Sequence, residues 1–94
     1  MPSMNLQIEH LPERHRFRAI VDGQECVADY RLASGVLHIT HTEVAPRLEG
    51  QGIAGALVRA VLEHARAEGL KVNPVCSYAR AYMRRHPETA ALLA

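Results

Sequence analysis

Apolar and polar residues alternate along the first half of the chain, and the period then changes. Arg16 to Val21 reads as a strand, Asp22-Gly23 as a hairpin turn, and residues 25–33 (ECVADYRLA) as the return strand. In that strand Cys26, Ala28, Tyr30 and Leu32 share one face, with Glu25, Asp29 and Arg31 opposite. Such alternation suits an antiparallel sheet covered on one side. Ser34-Gly35 makes a second turn, and residues 36–44 (VLHITHTEV) form the next strand, stopped by Pro46. Asn5 to His10 reads as a short first strand ended by Leu11-Pro12. The pattern therefore predicts a meander of three or four antiparallel strands.

From residue 53 the apolar positions recur at helical spacing. Ile53, Leu57, Val58, Val61, Leu62 and Ala65 fall on one stripe of a helix running to Glu68, with Gly69 as its C′ residue. Residues 70–75 (LKVNPV) form a short apolar strand that must return parallel to the one before the helix, giving a β-α-β crossover. Cys76-Ser77 opens a second helix over 77–86, with Ser77 as N-cap and Pro87 as its stop, and residues 88–94 (ETAALLA) add a last helical turn. The expected fold is a mixed α/β (α+β) domain, a meander followed by a crossover and a C-terminal helix. With 94 residues, it is expected to be a single domain.

Composition narrows the function classes. A formal net charge of +1 argues against nucleic-acid binding or a polybasic membrane anchor. No apolar run approaches membrane-spanning length, and Cys26 and Cys76 make no disulfide framework, so the expectation is a cytoplasmic protein with reduced thiols. Six histidines invite a metal reading, but none has tetrahedral-site spacing, and His38 and His41 would point to opposite faces of a regular strand. No metal site is expected.

The candidate chemistry gathers at the junction of strand and helix. Gly50, Gly52 and Gly55 crowd the turn where the first helix begins. The first N–H groups of a helix lack intrahelical acceptors and carry the positive end of its dipole, so this turn is an anion site suited to phosphate. GQGIAG at 50–55 matches G-x-G-x-x-G, yet the next strand carries no acid and the preceding strands are hairpin-connected, which excludes a dinucleotide fold. No Gly-Lys-Ser/Thr follows, which excludes a triphosphate P-loop. The bland alternative is a glycine-rich helix start serving close packing. His41 and Glu43 lie two apart and would continue the face of Leu37 and Ile39 out of the core. Either could act as a base, Glu43 first and His41 second, or be a solvated strand end. Cys76 sits where a strand meets a helix N-terminus, a setting that makes thiols more nucleophilic, although most buried cysteines are inert.

A meander, a turn of the form Q/R-x-x-G-x-G/A, a helix and a crossover strand together resemble the core of the GNAT acyltransferases, and the length resembles their compact single-domain members. Three stretches carry the resemblance: HTEVAP at 41–46, EGQGIAGALV at 49–58 and PVCSYARAYMRRHPE at 74–88. In one register Gly52 and Ala54 close the motif and Glu49 stands where a long polar donor is usual. Shifted by two, Arg47, Gly50 and Gly52 occupy the motif. The first register is preferred from the sequence, because GQGIAGALV reads like the helix start of many members.

The resemblance implies acetyl-CoA as cofactor. Its pyrophosphate would lie on the N–H groups of Gly50, Gln51, Gly52, Ile53, Ala54 and Gly55, and its pantetheine arm would pair with the backbone of Val44. Cys76 would carry the acetyl group or line the pantetheine channel, and Cys26 would be core. Arg80, Arg84 and Arg85 form either a solvated stripe or, through Arg80, a hold on the adenosine 3′-phosphate. Tyr78 and Tyr82 are expected to pack. The implied activity is transfer of an acetyl group to an amine, on a small molecule or a protein. The alternative is a CoA-binding module without turnover. Partners are expected to include neither nucleic acid nor membrane.

Overall fold

A computed structural model describes residues 6–94. It contains five strands in the order 1-2-3-4-5: β1 (Glu9–Leu11), β2 (Arg16–Val21), β3 (Gln24–Ala33), β4 (Val36–Glu43) and β5 (Lys71–Pro74). The first four pair antiparallel, and β5 pairs parallel to β4 through the helix α1 (Ile53–Ala67). A second helix, α2 (Ser77–Arg85), follows β5. The expected meander and crossover are therefore present. The first strand is shorter than expected and begins at Glu9; Asn5 lies outside the described residues.

The six apolar positions expected on α1 are all buried. They pack with Phe17, Ala19, Cys26, Ala28, Tyr30, Leu37 and Ile39 of the sheet. Each large aliphatic side chain so buried contributes about 1.5–3 kcal/mol. Beyond the helix, the Leu70 N–H donates to the Ala65 carbonyl (2.8 Å) and the Gly69 N–H to that of Arg66 (3.3 Å). That pairing closes a helix through a left-handed residue, and Gly69 supplies it with φ 69°. At the chain's end a 3-10 turn spans Pro87–Leu92, and Leu93 makes a parallel bridge to Val72 on the free edge of β5.

The other face of the sheet carries charge. The Arg16 guanidinium forks onto Asp29 (2.7 and 3.2 Å), Arg18 reaches Glu9 (2.8 Å), and both arginines contact Glu25 (3.4 and 3.3 Å). Cross-strand pairs of this kind contribute a few tenths of a kcal/mol to about 1 kcal/mol each. They keep this face polar and leave the core on the α1 side.

One irregularity decides what the end of β4 presents. Tyr30 is opposite Ile39, but Asp29 is opposite His41, so Thr40 is an extra, bulged residue. Its hydroxyl donates to the Asp29 carbonyl (3.3 Å). Beyond the bulge the alternation shifts by one. Thr42, opposite the fully buried Ala28, takes the core face, while His41 and Glu43 turn to the charged face. The expectation that His41 and Glu43 continue the row of Leu37 and Ile39 is thus corrected. So is the expectation that His38 and His41 oppose one another, since the bulge puts both on the charged face, with His38 bonded to Asn73 at 3.0 Å.

Candidate functional site

β5 accompanies β4 only from Val36 to Ile39. At that point Pro74 ends β5, and the N–H groups of Val75 and Cys76 both donate to the Ile39 carbonyl at 3.0 Å. β4 continues alone on that edge to Glu43, so the two parallel strands part at their carboxyl ends, where open α/β sheets place ligands. A cleft of about 500 Å³ lies beside this parting. Thr42, Val44, Leu48, Glu49, the turn glycines 50 and 52, Ile53, Ala54 and Tyr78 line it.

The glycine turn forms one wall. Gly50 (φ 84°) and Gly52 (φ 83°) are both left-handed, and a Cβ on either would project into open space. Gly52 is the N-cap of α1, and the first intrahelical bond runs from the Ala56 N–H to the Gly52 carbonyl (3.0 Å). The N–H groups of Ile53, Ala54 and Gly55 precede that bond and have no acceptor within the helix. A phosphate fits this bare, positively polarised edge.

The same backbone bears on the two motif registers. The left-handed pair is 50 and 52, whereas Ala54 already lies in the first turn of α1. The last motif position admits Ala as well as Gly, so a helical Ala54 after a left-handed Gly52 is compatible with the preferred register. Arg47 is engaged elsewhere: it donates to the Asp22 carbonyl (3.1 Å) in the β2–β3 hairpin. Glu49 lines the cleft and is the one charged side chain among its described lining residues.

Gly55 faces the second helix. A Cβ there would meet the Tyr78 hydroxyl at 3.3 Å and the Tyr82 ring at 3.7 Å. α1 and α2 approach at this point, and the Gly55 N–H belongs to the open first turn of α1. Gln51 is exposed and outside the cleft lining. Of the two tyrosines, Tyr82 is buried and stacks on His86 (ring centroids 4.1 Å), while Tyr78 also borders the cleft.

Across the parting strands, Thr42 Oγ1 lies 3.4 Å from Cys76 Sγ. The sulfur also accepts the Ala79 N–H at 3.4 Å, so Cys76 is the N-cap of α2, where Ser77 was expected. Cys76 is half-buried; Cys26 is wholly inside the core. His41 Nε2 and Glu43 Oε1 are 3.1 Å apart, exposed, on the far face of β4 from Thr42. Arg80 is exposed and donates to the Val75 carbonyl (2.7 Å), at the β5–α2 junction. Thr42 and Leu48 are lining residues that sequence patterning does not single out. Only the bulge selects Thr42 over its neighbours.

Among the described residues no helix is long and apolar enough to cross a membrane, and no three His, Cys, Asp or Glu side chains gather as a metal site.

Comparison with known proteins agrees with this geometry. No curated protein matches the chain. Among solved structures, the chain is similar to a GCN5-like putative N-acetyltransferase from Staphylococcus aureus, with 29% identity and a TM-score of 0.76, over 96% of this chain and 89% of that one. The model of the GCN5-related N-acetyltransferase family matches residues 16–92. With nearly its whole length matched, and with strands that part beside a glycine turn, the chain belongs to the GCN5-related N-acetyltransferase family.

Proposed function

We propose that the protein transfers the acetyl group of acetyl-CoA to an amine. The observation that carries this reading is the parting of β4 and β5 beside a helix start whose two left-handed glycines leave its N–H groups bare. Residues 50–55 would hold the diphosphate through those groups and the helix dipole. The unpaired edge of β4 through Val44 offers backbone partners to the amide-bearing arm. Thr42, Cys76 and Tyr78 would then surround the reacting end, with Cys76 lining the channel. Arg80, bonded to the Val75 carbonyl beside Cys76, stands at the reacting end, away from where the adenosine 3′-phosphate would lie, so the phosphate role for it is not part of this reading.

Acetyl-CoA supplies an activated thioester, whose C–S bond breaks as the acceptor nitrogen forms the new C–N bond. This chain's part is to receive the ammonium proton. Glu43, paired with His41 at 3.1 Å, is our first choice, acting on an amine that arrives from the charged face through the gap between the strands. The His41 ring is the second. A base in such a place contributes about a hundredfold or more to the rate. Amines of small molecules and of proteins are both within the reading.

The test is release of CoA thiol from acetyl-CoA in the presence of polyamines, lysine peptides, peptide N-termini and small amines. Release that depends on an amine, with the acetylated amine found by mass spectrometry, is the expected result. CoA binding without release for any amine would reduce the protein to a CoA-binding module.

A further inference from the structure

We propose that Glu49 weakens the hold of the cleft on CoA, and that it sets donor affinity by opposing the phosphates. The inference rests on the acetyl-CoA reading above. Two observations carry it. Glu49 is the one charged side chain among the described lining residues, and it immediately precedes Gly50, the first of the two left-handed glycines. The cation that could offset it, Arg47, is turned away and bonded to Asp22 of the β2–β3 hairpin. Attraction to phosphate therefore comes from backbone N–H groups and the dipole of α1, and an exposed carboxylate subtracts from it.

Acetyl-CoA and CoA carry the same phosphates, so Glu49 loosens substrate and product alike. Such uniform weakening raises KM without impairing the chemical step, and it speeds the departure of CoA. The interaction is through solvent, so added salt should screen it.

The test measures affinity by titration calorimetry in EDTA for the natural chain, Glu49→Gln and Glu49→Arg. Three ligands are used: CoA, 4′-phosphopantetheine and pantetheine. The expected result is CoA binding about three- to tenfold tighter for Glu49→Gln at low salt, and tighter still for Glu49→Arg. A tenfold gain corresponds to about 1.4 kcal/mol. The gain should shrink for 4′-phosphopantetheine, vanish for pantetheine, and fall within about twofold at 0.5 M salt. In turnover, Glu49→Gln should lower KM for acetyl-CoA without raising kcat. Equal CoA affinity in the natural chain and Glu49→Gln would overturn the inference, as would weaker binding in Glu49→Gln or an equal gain for pantetheine. Binding of CoA by none of the three proteins would instead overturn the acetyl-CoA reading and this inference with it.

Discussion

Thr42 Oγ1 and Cys76 Sγ meet at 3.4 Å across the point where β4 and β5 separate, joining residues 34 apart in the chain. The contact exists because a bulge at Thr40 rotates the end of β4 and because Cys76 caps α2 through the Ala79 N–H. One side chain thus ties a strand end to a helix start beside the cleft. The structural part of this role and the chemical part separate experimentally.

Cys76→Ala should remove the cap of α2 and lower stability by about 0.5–1 kcal/mol, read from denaturant unfolding. With the thiol only lining the channel, most acetyl transfer should persist. Incubation with acetyl-CoA alone should then leave Cys76 unmodified by mass spectrometry. An acetyl on Cys76 that forms at the turnover rate and discharges to an amine would assign it a covalent role instead.

Glu43→Gln keeps shape and removes a proton acceptor. Amine-dependent turnover should fall by about a hundredfold or more, while the Kd for CoA stays the same, because Glu43 lies on the face of β4 away from the cleft lining. Unaltered turnover in Glu43→Gln would shift the role to His41, tested by His41→Gln.

The two glycines of α1 separate binding from packing. Gly52→Ala forces a Cβ onto φ 83° and should cost about 1–2 kcal/mol, with CoA binding lost as the methyl enters the cleft mouth. Gly55→Ala gains about 1 kcal/mol of helix propensity against a contact with the Tyr78 hydroxyl, the tip of a half-buried ring beside an open cleft that can yield. Gly55→Ala should therefore fold at least as stably as the natural chain. A thermal melt checks both.

An aromatic cluster makes stability depend on pH. His10 stacks on Phe17 (4.1 Å), bonds the Tyr30 hydroxyl through Nε2 (2.6 Å) and meets the His64 ring edge-on (4.4 Å). Burial, and then His64, hold the His10 imidazole below its ordinary 6.5. The unfolded chain takes the proton more readily. Stability from this group is therefore complete above about 6.5 and is lost as pH falls from there through the lower folded value. Unfolding midpoints between pH 8 and 5 should decline on the acid side, and His10→Phe should flatten that decline.

The second half of the chain was the more legible in sequence. The stripe from Ile53 to Ala65 and the Gly69 stop were plain because helical period and a left-handed C′ glycine are local signals. The bulge at Thr40 was not, because it arises from pairing with β3, and nothing in VLHITHTEV marks the extra residue. That one residue moved His41 and Glu43 to the charged face and brought Thr42 to the cleft. The packing around Gly55 is hidden for a similar reason, as its neighbours Tyr78 and Tyr82 lie more than twenty positions away. Sequence showed a glycine-rich helix start; only the backbone distinguished Gly50 and Gly52, which bear left-handed angles, from Gly55, which admits a helix.

In the proposed complex an acyl-CoA lies with its diphosphate on the start of α1 and its thioester beside the Thr42–Cys76 contact. A titration of 15N-labelled protein with acetyl-CoA, followed through the backbone amides, tests it directly. Saturable shifts are expected at Val44, Gly50, Gly52, Ile53, Ala54 and Gly55, with smaller ones at Thr42 and Cys76. Shifts that avoid residues 50–55, or no shifts at millimolar acetyl-CoA, would contradict it.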